Sequence, residues 1–132
     1  MRVLIMGCGR VGSRLAVQMD AEGHDVTVVD IDPKSCGRLP PSYKGFTVTG
    51  DATDTAVLTS AGIESANVFV AVTQGDNRNI MAAQVAKRIY GVPKVVCRIY
   101  DPLRQEIFKE LGLQTFSPTT VLTSMIHDVI EQ

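Results

Sequence analysis

Excess charge of either sign is missing from this sequence, which carries 13 Lys and Arg against 14 Asp and Glu, a formal net charge of −1. A nucleic-acid binder gains affinity by displacing counterions with a basic surface, and nothing here supplies one. Long apolar runs are missing too. Stretches such as Val3-Leu4-Ile5-Met6 are strand-sized, far short of the ~20 residues that span a bilayer. No charged-then-apolar leader precedes the first of them, so a soluble, cytoplasmic protein is the expectation. The three cysteines, Cys8, Cys36 and Cys97, are odd in number, widely spaced and without a CxxC pair. That pattern argues against a disulfide framework or a zinc site. Cys97 reads as a small core residue, whereas the Cys8 thiol in its glycine-rich loop is expected to be partly exposed. His24 and His127 are the only histidines, one in the loop after the first helix and one in the last helix. No Ser/His/Asp constellation, metal-ligand cluster or suitably placed lysine accompanies them. Repeats and low-complexity tracts are also lacking.

What is present is one domain's worth of chain, 132 residues with 45% apolar and 20% charged side chains. Apolar strand-like runs alternate with helix-like segments throughout. Val3–Met6 reads as a buried strand, followed by a helix over about Val11–Glu22 with Val11, Leu15, Ala16 and Met19 at helical spacing. Val26–Val29 is a β-branched strand closed by Asp30. Asp32-Pro33 predicts a short helix with Asp as cap and Pro at its first position. Strands are expected at Phe46–Val48, Val68–Val72, Lys94–Ile99 and Gln114–Phe116. Helices fall over Thr55–Ala61, Asn77–Tyr90, Pro102–Leu111 and Pro118–Ile130. This alternation predicts an α/β, Rossmann-like doubly wound fold, a mostly parallel six-stranded sheet of order 3-2-1-4-5-6 with helices on both faces. Ligand then sits beyond the carboxyl ends of strands one and four, where the order reverses.

Gly7-Cys8-Gly9-Arg10-Val11-Gly12 has the GxGxxG spacing, weak by itself, but it follows a strand and opens a helix. Gly7 permits the tight turn, Gly9 lets the backbone approach a pyrophosphate, and Gly12 lets helix and strand pack closely. The positive end of the helix favours an anion. Asp30 ends the second strand near the ~20-residue offset at which a carboxylate meets ribose hydroxyls. Such a carboxylate repels a 2′-phosphate, favouring NAD, ADP or ATP over NADP. Ile31 adjoins it, and Asp32 is either a helix cap or a ligand contact.

Further polar residues fall on the same sheet edge. Asp51 can accept from an adenine amino group while Ala52 leaves room for the ring; the alternative is an Asp capping a turn. Thr73, Asp76 and Asn79 follow the fourth strand, with Asp76 or Asn77 also available as caps. Arg98 interrupts the run Val95-Val96-Cys97-Arg98-Ile99. A guanidinium there is costly without a partner, so phosphate, a neighbouring subunit, Asp101 or Asp76 is expected to meet it.

The glycine loop, Val28-Val29-Asp30-Ile31-Asp32, Gly50-Asp51-Ala52-Thr53 and Thr73-Gln74-Gly75-Asp76-Asn77 belong to one pattern. Val96-Cys97-Arg98-Ile99-Tyr100-Asp101-Pro102 and Leu111-Gly112…Ser117-Pro118 extend it. Together they resemble the RCK or KTN domain, the TrkA-type N-terminal domain of potassium transport regulators. The resemblance covers essentially the whole chain. It implies a cytosolic, non-enzymatic regulatory subunit of a Trk- or Ktr-like uptake system that binds NAD(H), ATP or ADP. It further implies dimers assembled into rings, peripheral at the inner face of the membrane through a potassium transporter. By position it suggests Arg10 on phosphates, Asp30 on ribose, Asp51 at adenine, and Arg98 on a terminal phosphate or a neighbouring subunit. Many family members carry a second, smaller ligand-binding domain, whose ligand this sequence does not assign. The last helix has a wide apolar stripe through Val121, Leu122, Met125, Ile126, Val129 and Ile130. It is expected to pack on its own sheet or, as the resemblance favours, to cross to a second copy. The rival readings are the cofactor domain of an NAD-dependent oxidoreductase, a methyltransferase using S-adenosylmethionine, and a scaffold that binds no nucleotide.

Overall fold

A computed structural model describes residues 1–132. Six strands, β1 (Arg2–Met6), β2 (Asp25–Asp30), β3 (Phe46–Thr49), β4 (Val68–Ala71), β5 (Lys94–Arg98) and β6 (Gln114–Phe116), form one sheet. Its order is β3-β2-β1-β4-β5-β6 and every pairing is parallel. The helices are α1 (Arg10–Ala21), α2 (Thr55–Ser60), α3 (Asp76–Gln84), α4 (Pro102–Glu110) and α5 (Pro118–Ile130). No helix is long and apolar enough to cross a membrane.

Register follows from the two-residue period of a strand, which sends successive side chains to opposite faces. Ile5 lies opposite Val28 on one side and Val70 on the other. Val3, Ile5, Val26 and Val28 share one buried cluster with Ala16 of α1. Leu4 and Met6 join Phe69, Ala71 and Cys97 in a larger one, packed with Ile80 and Ala83 of α3. Both faces of the central strands are therefore dry, which explains why they read as continuous apolar runs. The switch point lies between β1 and β4, the two most buried positions in the sheet.

Two local features depart from expectation. The segment after Asp32-Pro33 is a single 3-10 turn over Ser35–Arg38 instead of an α-helix. Asp32 does receive the Lys34 amide at 2.9 Å, closing a side-chain turn that competes with helix initiation. The third long helix is α-helical only to Gln84, then widens into a π-turn over Val85–Ile89. No proline or glycine interrupts that stretch, so nothing local signals the change. Of the two placements open to α5, packing on its own sheet is not the one taken: none of its residues is buried, and Val129 and Ile130 are 66% and 72% exposed.

Candidate functional site

The carboxyl ends of β1 and β4 open into a cavity of about 690 Å³, within the ~300–1,000 Å³ typical of small-molecule sites. Its floor is the glycine loop. Gly7 adopts φ of +110°, and a Cβ there would press to 3.0 Å from the Val72 carbonyl oxygen. A Cβ on Gly12 would lie 1.8 Å from the carbonyl oxygen of Gly7, so helix and loop touch backbone to backbone. Gly9 is different, because a Cβ there meets nothing within 4 Å. It faces open cavity. Gly9 is also the N-cap of α1, with no side-chain cap bond and no acidic residue in the first turn. The orphan amides and positive end of α1 are therefore directed at the cavity, beside Arg10 and Val11.

Asp30 stands at the end of β2 and lines the same cavity. One carboxylate oxygen accepts the Cys8 amide at 2.7 Å and the other the Asp32 amide at 2.8 Å. A carboxylate offers about four lone-pair sites, so these two bonds leave capacity for a ligand's hydroxyls while tying the glycine loop to β2. Ile31, next to it, is exposed and lines the cavity.

Cys8 itself corrects an expectation. Its side chain is fully buried rather than partly exposed. Burial, and then a hydrogen bond with Cys36, push its thiol up to about 12. The thiolate needed for reactivity is absent at neutral pH, and Cys8 contributes its backbone amide alone.

Across the switch point the cavity is built by side chains that clamp backbone. Asn79 is fully buried. Its Oδ1 accepts the Thr73 amide at 3.0 Å and the Thr73 hydroxyl at 2.6 Å. Its Nδ2 donates to the carbonyls of Thr73 at 2.9 Å and Arg98 at 3.0 Å. One amide side chain thus fastens the ends of β4 and β5 to α3. Thr73 lines the cavity but Asn79 does not. Asp76 is likewise turned away: its oxygens accept the amides of Tyr100 and Asp101 and pair with Arg104 at 3.8 Å.

Arg98 meets neither of the carboxylates expected for it. Its Nη2 donates to the carbonyls of Val72 at 2.7 Å and Thr73 at 2.9 Å, and its guanidinium lies 4.8 Å from the Tyr100 ring centroid. Strand ends at a switch point leave carbonyls without ladder partners, and these take the place of an acid. Arg98 still borders the cavity, and its buried Nε has no partner. Asp101 caps α4, accepting the Leu103 amide at 3.0 Å.

On the β3 side, Gly50 and Ala52 line the cavity while Asp51 sits just behind its rim. Asp51 accepts the Thr53 amide at 2.9 Å, the Thr53 hydroxyl at 2.7 Å and Arg78 Nη2 at 2.8 Å. The Thr53 bonds first, and Arg78 after them, hold its carboxyl below the usual aspartate range. Of the residues expected to touch ligand, Cys8, Gly12, Asp51, Asp76 and Asn79 shape the cavity without lining it.

Sequence reasoning missed Arg38, Arg78 and Tyr100, which do line it. A signal existed for Arg78: a cation in the first turn of a helix opposes the helix dipole and calls for a local partner. Arg38 lies in the 3-10 turn, where no periodic pattern marks its direction. The electrostatic sum is plain. Arg10, Arg38, Arg78 and Arg98 face the cavity with Asp30 as the single carboxylate, although the whole chain is nearly neutral. Such a concave surface suits a polyanion carrying a vicinal diol.

Comparison with known proteins agrees with this architecture. The TrkA-N domain family matches residues 3–118. The Trk system potassium uptake protein TrkA of Streptomyces coelicolor is 51% identical over 115 residues, which cover 87% of this chain and 52% of the relative. The chain thus spans about half the length of that relative. Among solved structures, the Kef CTD of Shewanella denitrificans in its AMP-bound form superposes with a TM-score of 0.81. It is 21% identical, with 96% of this chain and 77% of that one covered. The GsuK channel bound to NAD gives a TM-score of 0.71 at 21% identity, covering 89% of this chain and 21% of that one. At such identities the two structures bear on the fold alone. With a match that runs from β1 to the first residue of α5, and a relative identical at half its aligned positions, the chain belongs to the TrkA-N domain family.

Proposed function

We propose that this chain is the nucleotide-sensing domain of a Trk-like potassium uptake system, taking NAD(H), ATP or ADP in the cavity between β1 and β4. The observation that carries the reading is the convergence, on one cavity, of an uncapped helix N-terminus, four arginines and the Asp30 carboxylate. Amides of the glycine loop and Arg10 hold phosphates, and Asp30 holds the ribose hydroxyls. Gly50 and Ala52 make room for the base, and Arg98 with Thr73 faces the far end of the ligand. The Streptomyces relative is named for potassium uptake, which supports the transport role, and the two solved neighbours carry AMP and NAD, which supports the ligand class.

The domain acts as a regulator rather than a catalyst, at the cytoplasmic side of the membrane and bound there through its transporter. Signalling requires the ligands to differ in affinity for two arrangements of the assembly, because equal affinity shifts nothing. The α5 stripe supplies the contact through which such arrangements form: Leu122, Met125, Ile126 and Val129 are all more than half exposed. Packed on a second copy, that helix makes this domain a homodimer and the building unit of a larger ring.

Calorimetric titration of NADH, NAD, ATP and ADP into the purified chain tests the ligand class. Saturable binding is expected, with NADPH weaker than NADH because Asp30 repels a 2′-phosphate. NADH oxidation with a panel of oxidised substrates is expected to stay at background. Turnover would assign the fold to an oxidoreductase, and no binding at millimolar nucleotide would reject the sensor.

A further inference from the structure

The ion pairs of the chain divide by where they lie. Arg2–Asp25 joins β1 to β2, Arg104–Asp76 joins α4 to α3, and those of His127 are internal to α5 or its end. Only Arg78–Asp51 joins the β1–β3 half of the sheet to the β4–β6 half. It does so at the rim of the cavity, which Arg78 lines and Asp51 backs, next to Gly50 and Ala52.

The two charged groups are arranged unequally. Arg78 approaches Asp51 Oδ1 through Nη2 at 2.8 Å, but Oδ2 through Nη1 only at 3.4 Å. Oδ1 also takes both Thr53 bonds. One oxygen is therefore saturated, and the other keeps acceptor capacity. The Arg78 side chain remains 39% exposed and lines the cavity. A planar guanidinium offers a flat cationic face to an aromatic ring, which a lysine does not.

We infer that Arg78 is the base-selecting residue of this site: its guanidinium stacks on the purine while it holds Asp51 to accept from the exocyclic amine of adenine. The inference rests on the nucleotide reading above and adds the selection of the base. An adenine ring places a donor at that edge, whereas hypoxanthine and guanine place a carbonyl oxygen there. A carboxylate kept ionised accepts from the first and repels the second. Arg98 cannot share this task, since its Nη2 is engaged by Val72 and Thr73 and its guanidinium lies over Tyr100.

The test is titration of AMP, ADP, ATP and IDP into the wild-type chain, Arg78→Met and Arg78→Lys, with thermal melting of each. Wild type is expected to favour ADP over IDP by about tenfold or more, the scale of one hydrogen bond to a charged group. Arg78→Met is expected to weaken AMP, ADP and ATP by one common factor, about 3- to 20-fold for a lost cation–π stack. It also brings the ADP-to-IDP ratio below about threefold. Arg78→Lys restores neither, and melting temperatures stay close together. A loss that grows from AMP to ADP to ATP would make Arg78 a phosphate contact and overturn the inference. An unchanged ADP-to-IDP ratio in Arg78→Met, or full rescue by lysine, would overturn it as well. In each of those outcomes wild-type ADP binding leaves the nucleotide reading standing. A wild-type chain that binds none of the four rejects both.

Discussion

The two sides of the switch point solve the same problem with different materials. On the β1–β2 side the cavity is backbone: glycines that allow contact, amides of α1, and one carboxylate tying loop to strand. On the β4–β5 side it is side chain, with Asn79, Thr73 and Arg98 holding backbone carbonyls and amides in place. Backbone construction tolerates no added atoms where chains touch. Side-chain construction tolerates no lost hydrogen bonds. The two sides are therefore expected to break under opposite kinds of substitution.

The largest effect belongs to Gly12→Ala. Its methyl group would lie 1.8 Å from the Gly7 carbonyl oxygen, so loop and helix must separate. We expect about 3 kcal/mol or more of destabilisation in urea unfolding. On the other side Asn79→Ala leaves the Thr73 amide and the Arg98 carbonyl without their buried partner. A loss of about 2–3 kcal/mol is expected, together with weaker nucleotide binding from a loosened Thr73. Asn79→Gly would not rescue it, since what is missing is the side-chain amide. Should Asn79→Ala prove neutral, the contrast between the two sides would lose its second half.

Smaller effects sharpen the comparison. Asp51→Asn removes a half-exposed charge, so its cost at neutral pH is expected to be modest. Its pH dependence is more informative. The folded chain holds the Asp51 carboxyl below its ordinary range, so the folded state binds fewer protons there than the unfolded state. The stabilisation is present in full above the unfolded value of about 4 and is lost as pH falls through the lowered folded value. Asp51→Asn is expected to flatten that acid limb of the stability profile. A limb unaltered by the substitution would assign it to other carboxylates.

The same contrast explains what could be read from the sequence. The glycine loop and Asp30 are legible because their geometry is local: tight turn, close approach and strand end each leave a residue type at a fixed spacing. Strand β6 and helix α5 also fall where apolar pattern and Ser117-Pro118 put them. The side-chain half was only half legible. Thr73, Asn79 and Arg98 stand out, but their mutual bonds span 6 to 25 positions, and no periodicity encodes which polar group finds which. For Arg98 the sequence points to phosphate, a neighbouring subunit or an acid because charge is visible in sequence, whereas unpaired carbonyls at a strand end are not. Arg78 and Asp51, 27 positions apart, meet only through the sheet order. The π-turn after Gln84 contains no proline or glycine, so no residue in it announces the widening.

Gly9 gives the most direct test, because it separates binding from folding. A Cβ there meets no atom of the protein within 4 Å, yet a side chain would fill the space before the α1 amides. ADP titrated in parallel into wild type and Gly9→Val is expected to bind the former and to lose at least about a hundredfold in affinity with the latter. Their stabilities without nucleotide are expected to differ by no more than the about 1 kcal/mol that a valine N-cap costs. Equal ADP affinity in the two proteins would contradict the account, since phosphate would then be held somewhere other than the glycine loop.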